Sequence, residues 1–137
     1  MATTTTHGTL TLISRLSKVS IRRSSEEMLG MSLRNYLAVS YIAEPGAISQ
    51  QQLGEILCID ANNLVLLLND LEQAGLTRRV RDPADRRRHI VEITEHGRVA
   101  YEHAQRARES LEDEVLAALS GEERATLHRL LAKALQE

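Results

Sequence analysis

Leu12, Leu16 and Val19 recur on one helical face with Ile13 beside them, which predicts a first helix running toward Leu29, where Gly30 breaks it. Ser32 is the expected N-cap of a second helix through Tyr36, Leu37 and Tyr41, stopped by Pro45-Gly46. Ser49 and Gln52 have the spacing of a capping box and open a short third helix carrying Leu53, Ile56 and Leu57. Cys58-Ile59 forms a turn, Asp60 caps a fourth helix, and Gly75 ends it at the position where a left-handed residue is needed. Two β-rich runs follow, Leu76–Arg81 and Arg88–Thr94, joined by the turn-forming Asp82-Pro83-Ala84-Asp85. Thr94 caps a long fifth helix with a stripe of mostly small apolar residues, Ala100, Ala104, Ala107, Leu111 and Val115. Ser120 and Glu123 form a further capping box before a last helix through Leu127, Leu130, Leu131 and Leu135.

This order predicts a mainly α fold with a small β-hairpin wing, a winged helix-turn-helix. Residues 32–97 would form the winged domain. An N-terminal helix within 1–31 and the helices of 98–137 exceed what so small a core needs. Small-residue stripes let helices approach closely, so those end segments are expected to pack on a second copy.

Charge sharpens the picture. Residues 78–89 hold six arginines, Arg78, Arg79, Arg81, Arg86, Arg87 and Arg88, against Asp82 and Asp85, a local +4 in a chain whose net charge is −2. Cationic charge concentrated beside a helix-turn-helix pattern points to a phosphate backbone as partner. Phe and Trp are absent, and Tyr36, Tyr41 and Tyr101 are the only aromatics. Base stacking on aromatic platforms is thereby disfavoured, and duplex DNA is favoured over single strands or RNA.

Other chemistries find little footing. Cys58 is the single cysteine, so neither an intramolecular disulfide nor a cysteine-rich zinc site is available. Of the five histidines, His96 and His103 share a helical face but stand about 10 Å apart along the axis, too far for one zinc ion. His89 falls on the hairpin as a surface or phosphate-facing residue. No phosphate loop, nucleophile elbow or acid–base motif occurs, so neither catalysis nor a cofactor is expected. The longest apolar run, Leu64–Leu68, is too short to span a bilayer, and the threonine-rich start reads as a frayed terminus rather than a secretory signal. A soluble cytoplasmic protein is the expectation.

The fourth helix can be resolved into faces by stepping 100° per residue from Asp60. Leu64, Leu67, Leu68, Leu71 and Ala74 cluster toward the core, whereas Asn62, Leu66, Asn69 and Gln73 point away. The outward face of such a helix lies in the major groove. There asparagine pairs with adenine N6/N7, and leucine meets a thymine methyl. Asn63 lies at the border, within reach of a base or a phosphate. The three consecutive arginines of the hairpin tip suit a minor groove, with Arg86 and Arg88 assigned to groove or phosphates and Arg87 to a phosphate or an ion pair. Arg81 belongs to the same basic surface. Helix N-termini at Ser49 and Gln50 supply further phosphate contacts.

Leu71-Glu72…Gly75-Leu76, Asp85-x-Arg87 and Ile93-Thr94-x-x-Gly97 together resemble the MarR family (multiple-antibiotic-resistance-type regulators) over about Ile48–Gly97. The flanking helices agree in number and order. The resemblance implies a homodimeric transcriptional regulator, usually a repressor, on a palindromic operator. It implies a wing shaped by an Asp85–Arg87 pair, and release by a small aromatic effector bound between the dimer-forming helices and the winged domain. By position Arg22, Met28, Tyr36 and Tyr101 lie near such a cleft, although none can be carried over, and the tyrosines and Met28 equally suit plain packing. The chain departs from the family at Leu66, where a polar or basic residue is usual, and at Cys58, where glycine is common. Redox-sensing members place their cysteine in the first helix, which here has none, so Cys58 is expected to be a semi-buried turn residue. Two other readings fit the same pattern. One is a dimeric protein-interaction module that has lost DNA binding, suggested by Leu66 and the acidic remainder. The other is a DNA-binding regulator without an effector.

Overall fold

In a computed structural model that describes residues 6–137, seven helices and three strands follow one another as α1 (Thr9–Arg23), α2 (Glu26–Leu29), α3 (Leu33–Ala43), β1 (Ala47–Ser49), α4 (Gln50–Leu57), α5 (Ala61–Gln73), β2 (Thr77–Arg81), β3 (His89–Ile93), α6 (Glu95–Val115) and α7 (Gly121–Leu135). The mainly α, winged architecture expected from the pattern is present. Residues 3–5 of the threonine run, read as fraying, lie outside the described residues.

Three features differ from expectation. The first helix does not run on to Leu29. It stops at Arg23, and Ser25 restarts the chain as the N-cap of the one-turn α2, which Gly30 closes in the left-handed region at φ 80°. Two adjacent serines offer local hydrogen bonds that compete with helix continuation, a signal the leucine spacing outvoted. Second, the hairpin gains a partner. Ala47–Ser49 pairs with β3 to give an antiparallel sheet of order β1-β3-β2, with Ile48 opposite Val91. A three-residue strand has too little alternation to stand out in a sequence. Third, Ala74 is exposed, because it is the C-cap of α5 rather than a member of its core face.

The caps otherwise stand where expected. Ser32 accepts from Asn35 N at 3.1 Å, Asp60 from Asn63 N at 2.8 Å, and Ser120–Glu123 forms a reciprocal capping box. At Ser49 only half of the box is present. The hydroxyl accepts from Gln52 N at 3.1 Å, but the Gln52 Oε1 receives that same hydroxyl's proton at 3.2 Å instead of the Ser49 N–H. Each such cap contributes about 1 kcal/mol.

By contact, Ser24–Ala107 forms one compact unit. Leu29, Val39, Ile42, Leu53, Leu68, Leu71 and Val91 are fully buried at its centre, and Tyr36 stacks on Tyr101 at 5.9 Å between ring centroids. The unit extends beyond 32–97 at both ends because Leu29, Tyr101 and Ala104 are part of this core. The second unit contains α1 and Arg108–Glu137, tied by ion pairs Arg23–Glu114 at 3.0 Å and Arg124–Asp113 at 2.5 Å. Neither α1 nor α7 has a buried residue, and apolar side chains on both are left open, Leu10 at 83% exposure and Leu135 at 67%.

The entry into α6 is a close backbone crossing. Thr94 Oγ1 donates to the Gly75 carbonyl at 2.6 Å and accepts from Gly97 N at 2.9 Å, while Thr94 N donates to the Leu76 carbonyl at 3.0 Å. A Cβ on Gly97 would stand 2.0 Å from the Leu76 carbonyl oxygen. That obstacle is backbone already committed to a hydrogen bond, so it cannot swing aside. Gly97→Ala should therefore lower stability by about 2 kcal/mol or more, seen as an earlier midpoint in urea at fixed protein concentration with far-UV circular dichroism unchanged in water.

Candidate nucleic-acid interface

Asp60 ends the turn after α4 and begins α5, and its carboxylate organises the first turn. Oδ1 accepts from Asn63 N, and Oδ2 accepts from Asn63 Nδ2 at 3.0 Å. Asn63 is thus held at the cap. Asn62, Leu66 and Asn69 remain on the exposed face, with Leu66 58% exposed, while Leu64, Leu67, Leu68 and Leu71 are buried as the helical wheel requires. Val65 and Ile56 add partly exposed apolar surface.

Cys58 is exposed rather than semi-buried, a correction with a simple cause. As the C-cap of α4 it sits in the left-handed region at φ 54°, which turns its side chain outward over the carbonyls of Glu55 and Ile56. Glycine would occupy that conformation without strain.

Ser49 ends β1 and caps α4, and Gln50 is the first residue of that helix. The Gln50 Oε1 is buried without a hydrogen-bond partner. It lies in an open crevice of about 520 Å³ lined also by Val65, Glu72, Arg79, Arg81 and His89. Arg81 and His89 are the paired residues at the loop end of the hairpin.

The arginines are far less alike than the sequence suggests. Arg79 is half-buried and locks β2 to α5. Its Nε donates to Glu72 Oε1 at 2.7 Å, its Nη2 to Glu72 Oε2 at 3.1 Å and to Asn69 Oδ1 at 2.6 Å, and its backbone N–H to Glu72 Oε1 at 3.0 Å. Hydrogen bonding from Arg79 is the main reason the Glu72 carboxyl is held below its usual range, against the opposing effect of partial burial. Arg78 pairs with Glu92 across the hairpin at 2.9 Å. Asp82 and Asp85 alone leave the segment at +4, and pairing with Glu72 and Glu92 from neighbouring elements reduces it to +2.

At the tip, Asp85 acts as the organiser. Its Oδ1 accepts from Arg87 N at 3.1 Å and Arg87 Nε at 3.3 Å, and its Oδ2 faces Arg88 Nε at 3.6 Å. Arg81 Nη1 donates to the Arg86 carbonyl at 2.9 Å, bracing the turn from below. Among the described residues the Arg86 guanidinium alone of the six has no hydrogen-bond or ion-pair partner. The arrangement presents an exposed polar and apolar helix face, a carboxylate-shaped loop and one unpaired cation. Among the described residues no group of three or more His, Cys, Asp or Glu side chains is placed to hold a metal ion, and no helix is long and apolar enough to cross a membrane.

A model of the MarR family matches residues 31–89. The chain is 32% identical over 111 residues to the transcriptional regulator HosA of Escherichia coli O111:H-, covering 81% of this chain and 82% of that protein. A mutant MarR from E. coli, solved in complex with operator DNA, is 26% identical and covers 91% of each chain with a TM-score of 0.77. The PcaV transcriptional regulator from Streptomyces coelicolor, solved with its natural ligand, is 26% identical, with coverage of 99% and 98% and a TM-score of 0.75.

Hydrogen bonds from Arg87, side chain first and backbone second, hold the Asp85 carboxyl below the usual aspartate range. A depressed acid favours the folded arrangement above its unfolded pKa and loses that contribution as pH falls through the folded value. The tip should keep its shape from pH 8 down through the ordinary aspartate range, about 3.9, and loosen only below it. Carboxyl NMR titration should place Asp85 below about 3.9, and Arg87→Gln should raise it.

Proposed function

The chain belongs to the MarR family of winged-helix transcriptional regulators, and on that premise we propose that a homodimer of it binds a palindromic operator and acts as a ligand-responsive repressor. The supporting observation is the pairing of an exposed α5 face, Asn62, Leu66 and Asn69, with a wing tip whose Arg86 guanidinium is unpaired. In this reading α5 enters the major groove. Arg86 enters the flanking minor groove, where the potential is most negative. Arg88 reaches a phosphate, Arg87 and Asp85 hold the loop, and Arg81 braces it. Ser49 and Gln50, at the start of α4, direct free backbone N–H groups at the backbone phosphates, and Asn63 keeps the first turn of α5 aligned.

Residues 32–97 carry this DNA-binding role, and the helices of 1–31 and 98–137 carry dimerisation. The apolar side chains left uncovered on α1 and α7, among them Leu10, Ile21 and Leu135, are the surface a second copy would cover. A binding protein of this kind performs no reaction and works in the cytoplasm, beside the chromosome.

Selection from random duplexes should enrich an inverted repeat, as two recognition helices related by a two-fold axis require. Binding should weaken with log salt at a slope of about −5 to −7. Arg86→Ala should reduce affinity about equally for all sequences and make that slope shallower by about 2 per dimer, whereas Asn62→Ala should relax sequence choice. A slope near zero for the unmodified chain would overturn DNA binding.

The effector class we propose is a small aromatic acid or phenol. Such a ligand needs a coupling of only about 1–3 kcal/mol to switch operator occupancy. A panel of phenolic acids should contain one that raises the melting temperature and lowers operator affinity in parallel; uniformly flat responses would leave a regulator without an effector.

A further inference from the structure

Asn69 is the residue whose expected role the structure alters most. Free asparagine reads adenine by using both ends of its carboxamide, the oxygen accepting from N6 and the nitrogen donating to N7. Here the atom 2.6 Å from Arg79 Nη2 must be the oxygen, since a guanidinium has donors and no acceptor. Arg79 is itself held from the other side by both oxygens of Glu72. A charge-assisted bond of that length holds the oxygen end of the carboxamide toward Arg79. The Nδ2 group is left without a partner among the described residues, on an exposed stretch of helix. Asn69 therefore presents a donor.

About one helical turn away, Leu66 is 58% exposed. Positions i and i+3 are neighbours on a helix surface. A donor beside an apolar group describes the complement of one base edge in the major groove. Thymine alone offers an acceptor, O4, next to a methyl group. Guanine offers two acceptors without a methyl, and adenine and cytosine place a donor amine on that edge.

We propose that Glu72 and Arg79 fix Asn69 as a donor, so that Leu66 and Asn69 together select a thymine in each half-site. The inference rests on α5 entering the major groove. Arg79 is then a positioning residue, setting what another side chain reads without touching DNA itself.

The test uses the full chain and the sequence it selects from random DNA. At one thymine per half-site, replacement by uracil removes only the methyl and should weaken binding about 3- to 5-fold. Leu66→Ala should abolish that sensitivity. Replacement of the same thymine by 5-methylcytosine opposite inosine keeps the methyl, leaves the minor groove unchanged and turns the acceptor into a donor. It should weaken binding about 10-fold or more, and Asn69→Ala should be indifferent to it. Arg79→Gln, checked for an unchanged melting profile, should free the carboxamide to turn and cut the preference for thymine over adenine about tenfold. The modified-base comparisons need only the unmodified chain and the two α5 variants, so they decide the matter even if Arg79→Gln does not fold. A selected palindrome with no thymine answering to both Leu66 and Asn69, or one accepting adenine equally well there, would overturn this inference alone. No selected sequence at all would overturn the operator reading as well.

Discussion

The Glu72 carboxylate sits at a junction on which both the exposed face of α5 and the hairpin depend. β2 is an edge strand, so the Arg79 N–H that points away from β3 has no ladder partner. Glu72, projecting from the last turn of α5, supplies the acceptor and takes the Arg79 side chain as well. A half-buried arginine without that carboxylate would be a costly uncompensated charge, and the edge N–H would be left for water or a foreign strand. One acidic residue thereby fixes α5 to β2.

The same junction changes what the basic segment means. Six arginines in a row of twelve residues look like one electrostatic patch. In the fold they divide by task. Arg79 joins two elements, Arg78 pairs across the hairpin, Arg81 braces a carbonyl, Arg87 and Arg88 shape the tip around Asp85, and among the described residues Arg86 alone of the six finds no partner for its guanidinium. Several positive charges in a short hairpin repel one another, and pairing most of them lets the tip hold a single shape while one guanidinium remains available. The wing is less a reservoir of charge than a frame around one.

Residue by residue, the legible parts were those governed by local chemistry. Ser32, Asp60 and Ser120 each cap a helix because a short polar side chain reaches the N–H groups two or three residues ahead, whatever the rest of the fold does. Gly75 ends α5 at φ 77°, as a residue without a Cβ can. The core face of α5 followed from helical period alone, except at Ala74, where the helix had already ended. What escaped was short or non-local. β1 exists because β3 is there to pair with it, and three residues cannot announce that in advance. The break at Ser24-Ser25 was visible as serines but hidden by leucines in register on either side. Cys58 was placed correctly in the turn, yet its exposure follows from a backbone angle that side-chain identity disfavours.

Sequence alone determined that this chain has the element order of a winged helix-turn-helix, that its fourth-helix pattern turns Asn62, Leu66 and Asn69 outward, and that its hairpin is basic. Those properties depend on spacing of three or four residues and on single-residue preferences, which act before any tertiary contact forms. Tertiary structure alone decided which arginine stays free, that Asn63 is held by Asp60, and that Asn69 offers its nitrogen rather than its oxygen. The reason is that a hydrogen-bond partner's identity depends on which distant groups folding brings within 3 Å or so, and a carboxamide with two opposite ends reads differently according to which end is already taken.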